Sequence, residues 1–134
     1  MKNIKLFALL LIVLFSCTDK KQEVIDKAIQ IHDEVMPKME DIMKLKDQLE
    51  TNLHELEQDS TADSFEVDNY TQVISDLNQA EKAMRDWMHD FDVNFEAETQ
   101  EEILTYFEGQ KKKIEMVSEI TNSAIESANE LLKE

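Results

Sequence analysis

The chain has 134 residues, enough for one domain, with one Gly, one Pro and one Cys. So few turn-forming residues argue against a strand-rich fold and for a few long helices, and a lone Cys excludes an intramolecular disulfide or a CxxC redox pair. A formal net charge of −16 repels phosphate backbones and anionic lipid, which disfavours nucleic-acid binding and purely electrostatic membrane attachment.

The first predicted element is an export signal over residues 1–16. Lys2 and Lys5 form a basic start, an apolar run follows from Leu6 to Phe15, and Ser16-Cys17 ends it. The run is too short for an ordinary membrane-spanning helix. Leu14-Phe15-Ser16-Cys17 resembles a bacterial lipobox: an aliphatic residue three before the cut, a small residue before it, and Cys after it. Phe15 is bulkier than the pattern prefers. The resemblance implies diacylglycerol attachment to Cys17 and cleavage before it; the other readings are an unlipidated signal with an incidental Cys, or an uncleaved anchor. Two or more acyl chains would hold such a protein stably, at about 0.8 kcal/mol per buried methylene. Loss of Lys2 and Lys5 would take the net charge of the mature part, 17–134, to −18. Only Thr18 and Asp19 precede the first helical pattern, so the domain is expected to sit close to the bilayer.

The first helix is predicted over about 20–58. Ile25, Ala28, Val35, Met39, Ile42, Leu49, Leu53 and Leu56 form its apolar stripe, interrupted by His32 and Lys46. Ile29, Met36 and Met43 widen the stripe on one side, which suits a globular bundle better than a two-stranded coiled coil. Pro37 removes a donor and is expected to kink the helix. Residues 59–68 read as a polar loop, with Asp68 or a neighbour capping the next helix.

The second helix is predicted over about 69–92, with Val73, Leu77, Ala80, Met84, Trp87 and Phe91 on its inner face. Thr99-Gln100-Glu101-Glu102 fits a capping box and opens a third helix over about 99–132. Its face is Ile103, Phe107, Ile114, Val117, Thr121, Ala124, Ala128 and Leu131, with Gly109 as a candidate bend. The expected fold is all-α: an antiparallel three-helix up-down-up bundle behind a cleaved signal peptide.

The sequence offers one candidate metal set: His32, Met36, Met39 and Met43 on one helix face, with Met84 and Met88. Thioethers and imidazole suit Cu(I) or Ag(I). The competing and preferred reading is that Met fills the core and that His32 is a core polar residue bonded to the backbone or to a facing side chain. Asp86 and His89 have the acid-x-x-His spacing, but it occurs once and with Asp, so a di-metal carboxylate centre is not expected. His54 reads as solvated. Lys111-Lys112-Lys113 is the single basic cluster and reads as a solvated face. A calcium loop, a nucleophile elbow and a phosphate-cradling loop each need glycine that the sequence does not supply, so no catalytic residue and no cofactor are assigned.

Beyond the lipobox, His32-Asp33-Glu34-Val35-Met36-Pro37-Lys38-Met39 and Met84-Arg85-Asp86-Trp87-Met88-His89-Asp90-Phe91 resemble segments of small helical lipoproteins of Bacteroidota-type bacteria. Those proteins often carry the automatic label "viral A-type inclusion protein", which implies no activity. The expected role is a non-enzymatic envelope lipoprotein on the periplasmic or surface side of a bacterial membrane, with the outer membrane favoured. Its membrane contact is through Cys17, and its bundle either serves a structural role or binds a protein partner that the sequence does not name. The alternative is an envelope metal-binding protein using the Met/His face.

Overall fold

The computed structural model describes residues 20–133. The expected signal segment and Cys17 lie outside the described residues. Among those residues the chain forms four helices and no strand: α1 (20–35), α2 (Lys38–Gln58), α3 (Ser64–Asp90) and α4 (Gln100–Leu131).

The long first helix of the sequence reading is thus divided at Met36 and Pro37. The Met36 N–H still donates to the His32 carbonyl at 2.8 Å, whereas Pro37 has no N–H for the carbonyl of Asp33. Met39 and Glu40 then donate only three residues back, to the carbonyls of Met36 and Pro37, at 3.1 and 3.3 Å. The backbone tightens for one turn and resumes, with Pro37 itself at helical φ −60° and ψ −29°. Buried Val35 and Ile42 stand on either side of this turn, so the apolar face carries through it.

α3 starts at Ser64, five residues before the start near Asn69 that the sequence pattern predicts. Its cap is Asp63, not Asp68: the Asp63 carboxylate accepts the Phe65 N–H at 3.1 Å. The connecting turn is held by Asp59, whose Oδ1 accepts from the Thr61 N–H and hydroxyl at 2.9 and 2.7 Å. The α4 start follows the sequence pattern. Glu102 N–H donates to Thr99 Oγ1 at 3.2 Å, and Thr99 N–H donates to Glu102 Oε2 at 3.0 Å. α4 runs unbroken through Gly109.

The core falls into three adjoining clusters. Ile25, Ile103 and Phe107 form one. Ala28, Val35, Met84, Trp87, Ile114 and Val117 form the next. Ile42, Leu45, Leu49, Val73, Leu77, Ala80, Ala124, Ala128 and Leu131 form the largest. Every α4 residue of the expected stripe is buried. Leu45 and Gln110 are buried as well, beyond the residues that periodicity marks. Lys46, which interrupts the apolar stripe, reaches across to α3: its Nζ lies 2.8 Å from Glu81 Oε2, while Arg85 holds the other oxygen at 3.0 Å.

Candidate functional site

Most of the chain's aromatic rings gather where α1, the end of α3 and the start of α4 meet. Trp87 is 5% exposed, and its indole N–H donates to the Gln110 carbonyl at 3.0 Å. This bond satisfies the one polar atom of a ring that is otherwise in apolar surroundings. The Phe91 ring stacks on Trp87 at 4.7 Å, and Phe107 meets Phe91 edge-on at 6.2 Å. Tyr106 continues the series, edge-on to Phe107 at 5.0 Å and stacked on Phe95 at 3.9 Å.

The same α4 segment closes the end of α3. The Tyr106 hydroxyl donates to the Asp90 carbonyl at 2.8 Å and accepts the Asp92 N–H at 2.7 Å. Gln110 Nε2 adds a 3.4 Å contact to the same carbonyl, and Lys113 Nζ lies 3.5 Å from the Asp90 carboxylate. A helix leaves its last carbonyls without partners; here the Tyr106 hydroxyl and the Gln110 amide donate to that of Asp90, while Lys113 pairs with the Asp90 carboxylate. His89 and Lys113 hold the Asp90 carboxyl below its ordinary range, chiefly through the His89 contact. The Tyr106 hydroxyl, the Gln110 amide nitrogen and the Lys113 ammonium thus serve the end of α3, whereas the buried Gln110 Oε1 has no hydrogen-bond partner among the described residues.

His32 sits at the rim of the cluster, not in its centre. Its ring stacks on Trp87 at 5.5 Å, and the side chain keeps 24% of its exposure. Its partner is the adjacent, exposed Asp33, with Nδ1 3.0 Å from Oδ1, rather than a backbone group or a side chain of a facing helix.

The six residues of the candidate metal set occupy different environments. Met84 is sealed in the core at 1% exposure, Met39 packs between two core clusters, and Met43 is 61% exposed on α2. Met36 and Met88 are on the surface as well. His32 and Met43 are eleven residues apart, about 16 Å along a helix at 1.5 Å per residue, so no single ion spans the set. Among the described residues no three His, Cys, Asp or Glu side chains converge as a metal site.

The remaining candidates are on the surface. His54 lies 2.8 Å from the amide nitrogen of Gln58, His89 is exposed beside Asp90, and Asp86 pairs with Lys82. Lys111 pairs with Glu115 at 3.3 Å. Lys20, Lys27, Lys111 and Lys112 line an open cleft of about 880 Å³ between α1 and α4, where Lys20 meets Glu108 at 3.2 Å. No described helix is long and apolar enough to cross a membrane.

The feature that the sequence reading passed over is on the outer face of α1 and α2. Ile29, Met36 and Met43, taken there as a widening of the core stripe, are 38%, 37% and 61% exposed. They form a row on the surface beside a closed core. Comparison with known proteins adds no relative: no family model matches the chain, and neither does any curated protein or solved structure.

Proposed function

We propose that this protein is an exported envelope lipoprotein, anchored by acyl chains such as palmitate on Cys17, whose helical bundle is a non-enzymatic protein-interaction module. The observation that carries the second half is the exposed row Ile29, Met36 and Met43. Single exposed apolar side chains such as Phe65 are ordinary, but three recurring along the outer face of α1 and α2 make a contiguous strip that favours a partner. The first half rests on Leu14-Phe15-Ser16-Cys17.

The order of the three clusters supports an antiparallel up-down-up bundle. From one to the next, residue numbers rise in α1–α2 and in α4 and fall in α3. That reading puts residue 20, three positions after Cys17 in the sequence, at the same end as the aromatic cluster. Three residues span at most about 10 Å in any conformation, so an anchor on Cys17 would turn this end to the bilayer and the Leu49–Leu131 end away from it. The resemblance to small Bacteroidota lipoproteins fits the same location, in the outer membrane on its periplasmic or outer side.

The test is made in intact bacteria expressing the full chain. A palmitate analogue is expected to label the wild type and not Cys17→Ser, and only the wild type should sediment with membranes. A photo-crosslinking residue at Met43 should give a discrete adduct that the same residue at Glu126, on α4, does not. An unlabelled wild type would overturn the anchor, and identical crosslinking from both positions would overturn the interaction face.

A further inference from the structure

Two parallel columns run along the outer face of α1 and α2. Ile29, Met36 and Met43 recur every seven residues. Asp26, Asp33, Glu40 and Asp47 do the same, and all four are exposed. At 100° per residue, a three-residue step sets the columns about 60° apart around the helix, and each seven-residue step drifts only about 20°. Asp26, Ile29 and Asp33 therefore lie side by side on α1, and Glu40, Met43 and Asp47 on α2, with Met36 in the tightened turn that joins the two helices. Each apolar residue also lies four positions after one in the core or at its edge (buried Ile25, half-buried His32 and Met39), so the apolar column continues the core outward. Glu40 meets Lys44 at 2.7 Å and Asp33 meets His32. Even so, the column is strongly anionic.

We propose that this face docks an amphipathic helix of another protein, one whose apolar seam is flanked by Lys or Arg. Charge complementarity selects that occupant. A second copy would bring the same carboxylates in a chain of net charge −16, and an anionic lipid surface would be repelled in the same way. A basic amphipathic helix matches both columns at once: its apolar residues cover Ile29, Met36 and Met43, and its cations meet the carboxylates one per two turns. This inference rests on the reading of the bundle as an interaction module and names the partner's chemistry. Labelling of Cys17 is read separately, so a lipidated protein that ignores the probe below overturns the docking face and leaves the anchor intact.

The probe is a synthetic amphipathic peptide of about 20 residues with Leu along its seam and Lys beside it, compared with the same peptide carrying Glu for Lys. The full-length protein is held in nanodiscs of zwitterionic phosphatidylcholine, with empty discs as the reference, and binding is read by fluorescence anisotropy at low salt. Three variants are compared: Met36→Gln with Met43→Gln; Asp26→Asn, Asp33→Asn, Glu40→Gln and Asp47→Asn together; and, matched in charge, Glu101→Gln, Glu119→Gln, Glu126→Gln and Glu130→Gln on α4. All ten positions are exposed, and circular dichroism checks that each variant is folded. The Lys peptide should bind, and either α1–α2 variant should weaken it by about tenfold or more, whereas the α4 variant should change it by less than about threefold. Equal weakening by the two carboxylate sets would reduce the effect to overall charge and overturn the site. Equal binding of the Glu peptide would also overturn it, as would binding unchanged by the Met substitutions. A dimer by ultracentrifugation that Met36→Gln with Met43→Gln abolishes would assign the face to a second copy.

Discussion

Glu81 shows how one polar residue is placed in this bundle. Lys46 and Arg85 hold its carboxyl below the ordinary range, Lys46 most strongly through its hydrogen bond. A carboxyl whose folded pKa is depressed stabilises the fold above its unfolded value, about 4.3, and loses that contribution as pH falls through the folded value. The group is one-third exposed, so solvent screens it and the contribution is about 1 kcal/mol or less. Glu81→Gln should therefore lower stability in urea at neutral pH by that amount. Its difference from the wild type should fade as pH drops below the ordinary glutamate range, and a difference that persists to pH 3 would contradict the assignment. Gly109 offers the opposite sign. It lies within α4, its φ is not positive, and an added Cβ would meet nothing within 4 Å. Gly109→Ala removes only backbone freedom from the unfolded chain and should stabilise by about 0.5–1 kcal/mol. An unchanged or lowered urea midpoint would contradict that expectation.

Pro37 is the residue on which the length of an element depends. The tightened turn between α1 and α2 exists because Pro37 cannot donate to the carbonyl of Asp33. Pro37→Ala restores that donor while buried Val35 and Ile42 keep their faces. The expected result is one helix through this region and a gain of about 1 kcal/mol or more, read by urea unfolding and by hydrogen-exchange protection at position 37. A loss of stability would mean that the kink is what seats His32 against Trp87. Thr99→Ala, which removes the capping box of α4, should cost about 1 kcal/mol in the same assay. The stripes and this box were legible in the sequence because a period near 3.6 and a four-residue signature are local properties. Other features were not. The sequence does not mark Asp63 as a cap because the first turn of α3 points Phe65 into solvent, 76% exposed, and so hides the helical phase. Gln110 fills a core position between Phe107 and Ile114, but a polar residue is invisible to an apolar pattern. His32, expected inside the stripe, is at the rim, and its stacking partner lies 55 residues away on α3. Contacts of that kind, like the closure of α3 by Tyr106, depend on how the helices register against one another. The six-residue Met/His set shared periodicity but not depth, since Met84 is sealed and Met43 is in water.

At the scale of the whole molecule the dominant quantity is charge. Thirty acidic residues face fourteen basic ones, and the cations that pair do so mainly within one helix turn or with a single neighbouring helix, as Lys44 does with Glu40 and Lys46 with Glu81. The surplus carboxylates repel one another more in the compact state than in an expanded chain, which destabilises the fold. Salt shortens the range of that repulsion, from about 30 Å at 0.01 M to about 3 Å at 1 M. It also weakens the surface ion pairs, but each of those contributes only about 0–1 kcal/mol, and repulsion among many unpaired charges outweighs them. Raising sodium chloride from about 0.01 M to about 0.5 M, where the screening length falls to a few ångströms, should therefore raise the Tm by several degrees, since 1 kcal/mol corresponds to about 4 °C for a domain between the 100- and 150-residue classes. The variant with Glu101, Glu119, Glu126 and Glu130 replaced by Gln separates this effect from general salting-out. If repulsion is the cause, its Tm at low salt should exceed that of the wild type and its salt slope should be shallower. Equal slopes would assign the effect to the apolar core, and a Tm that falls with salt would mean that the local ion pairs outweigh the surplus charge.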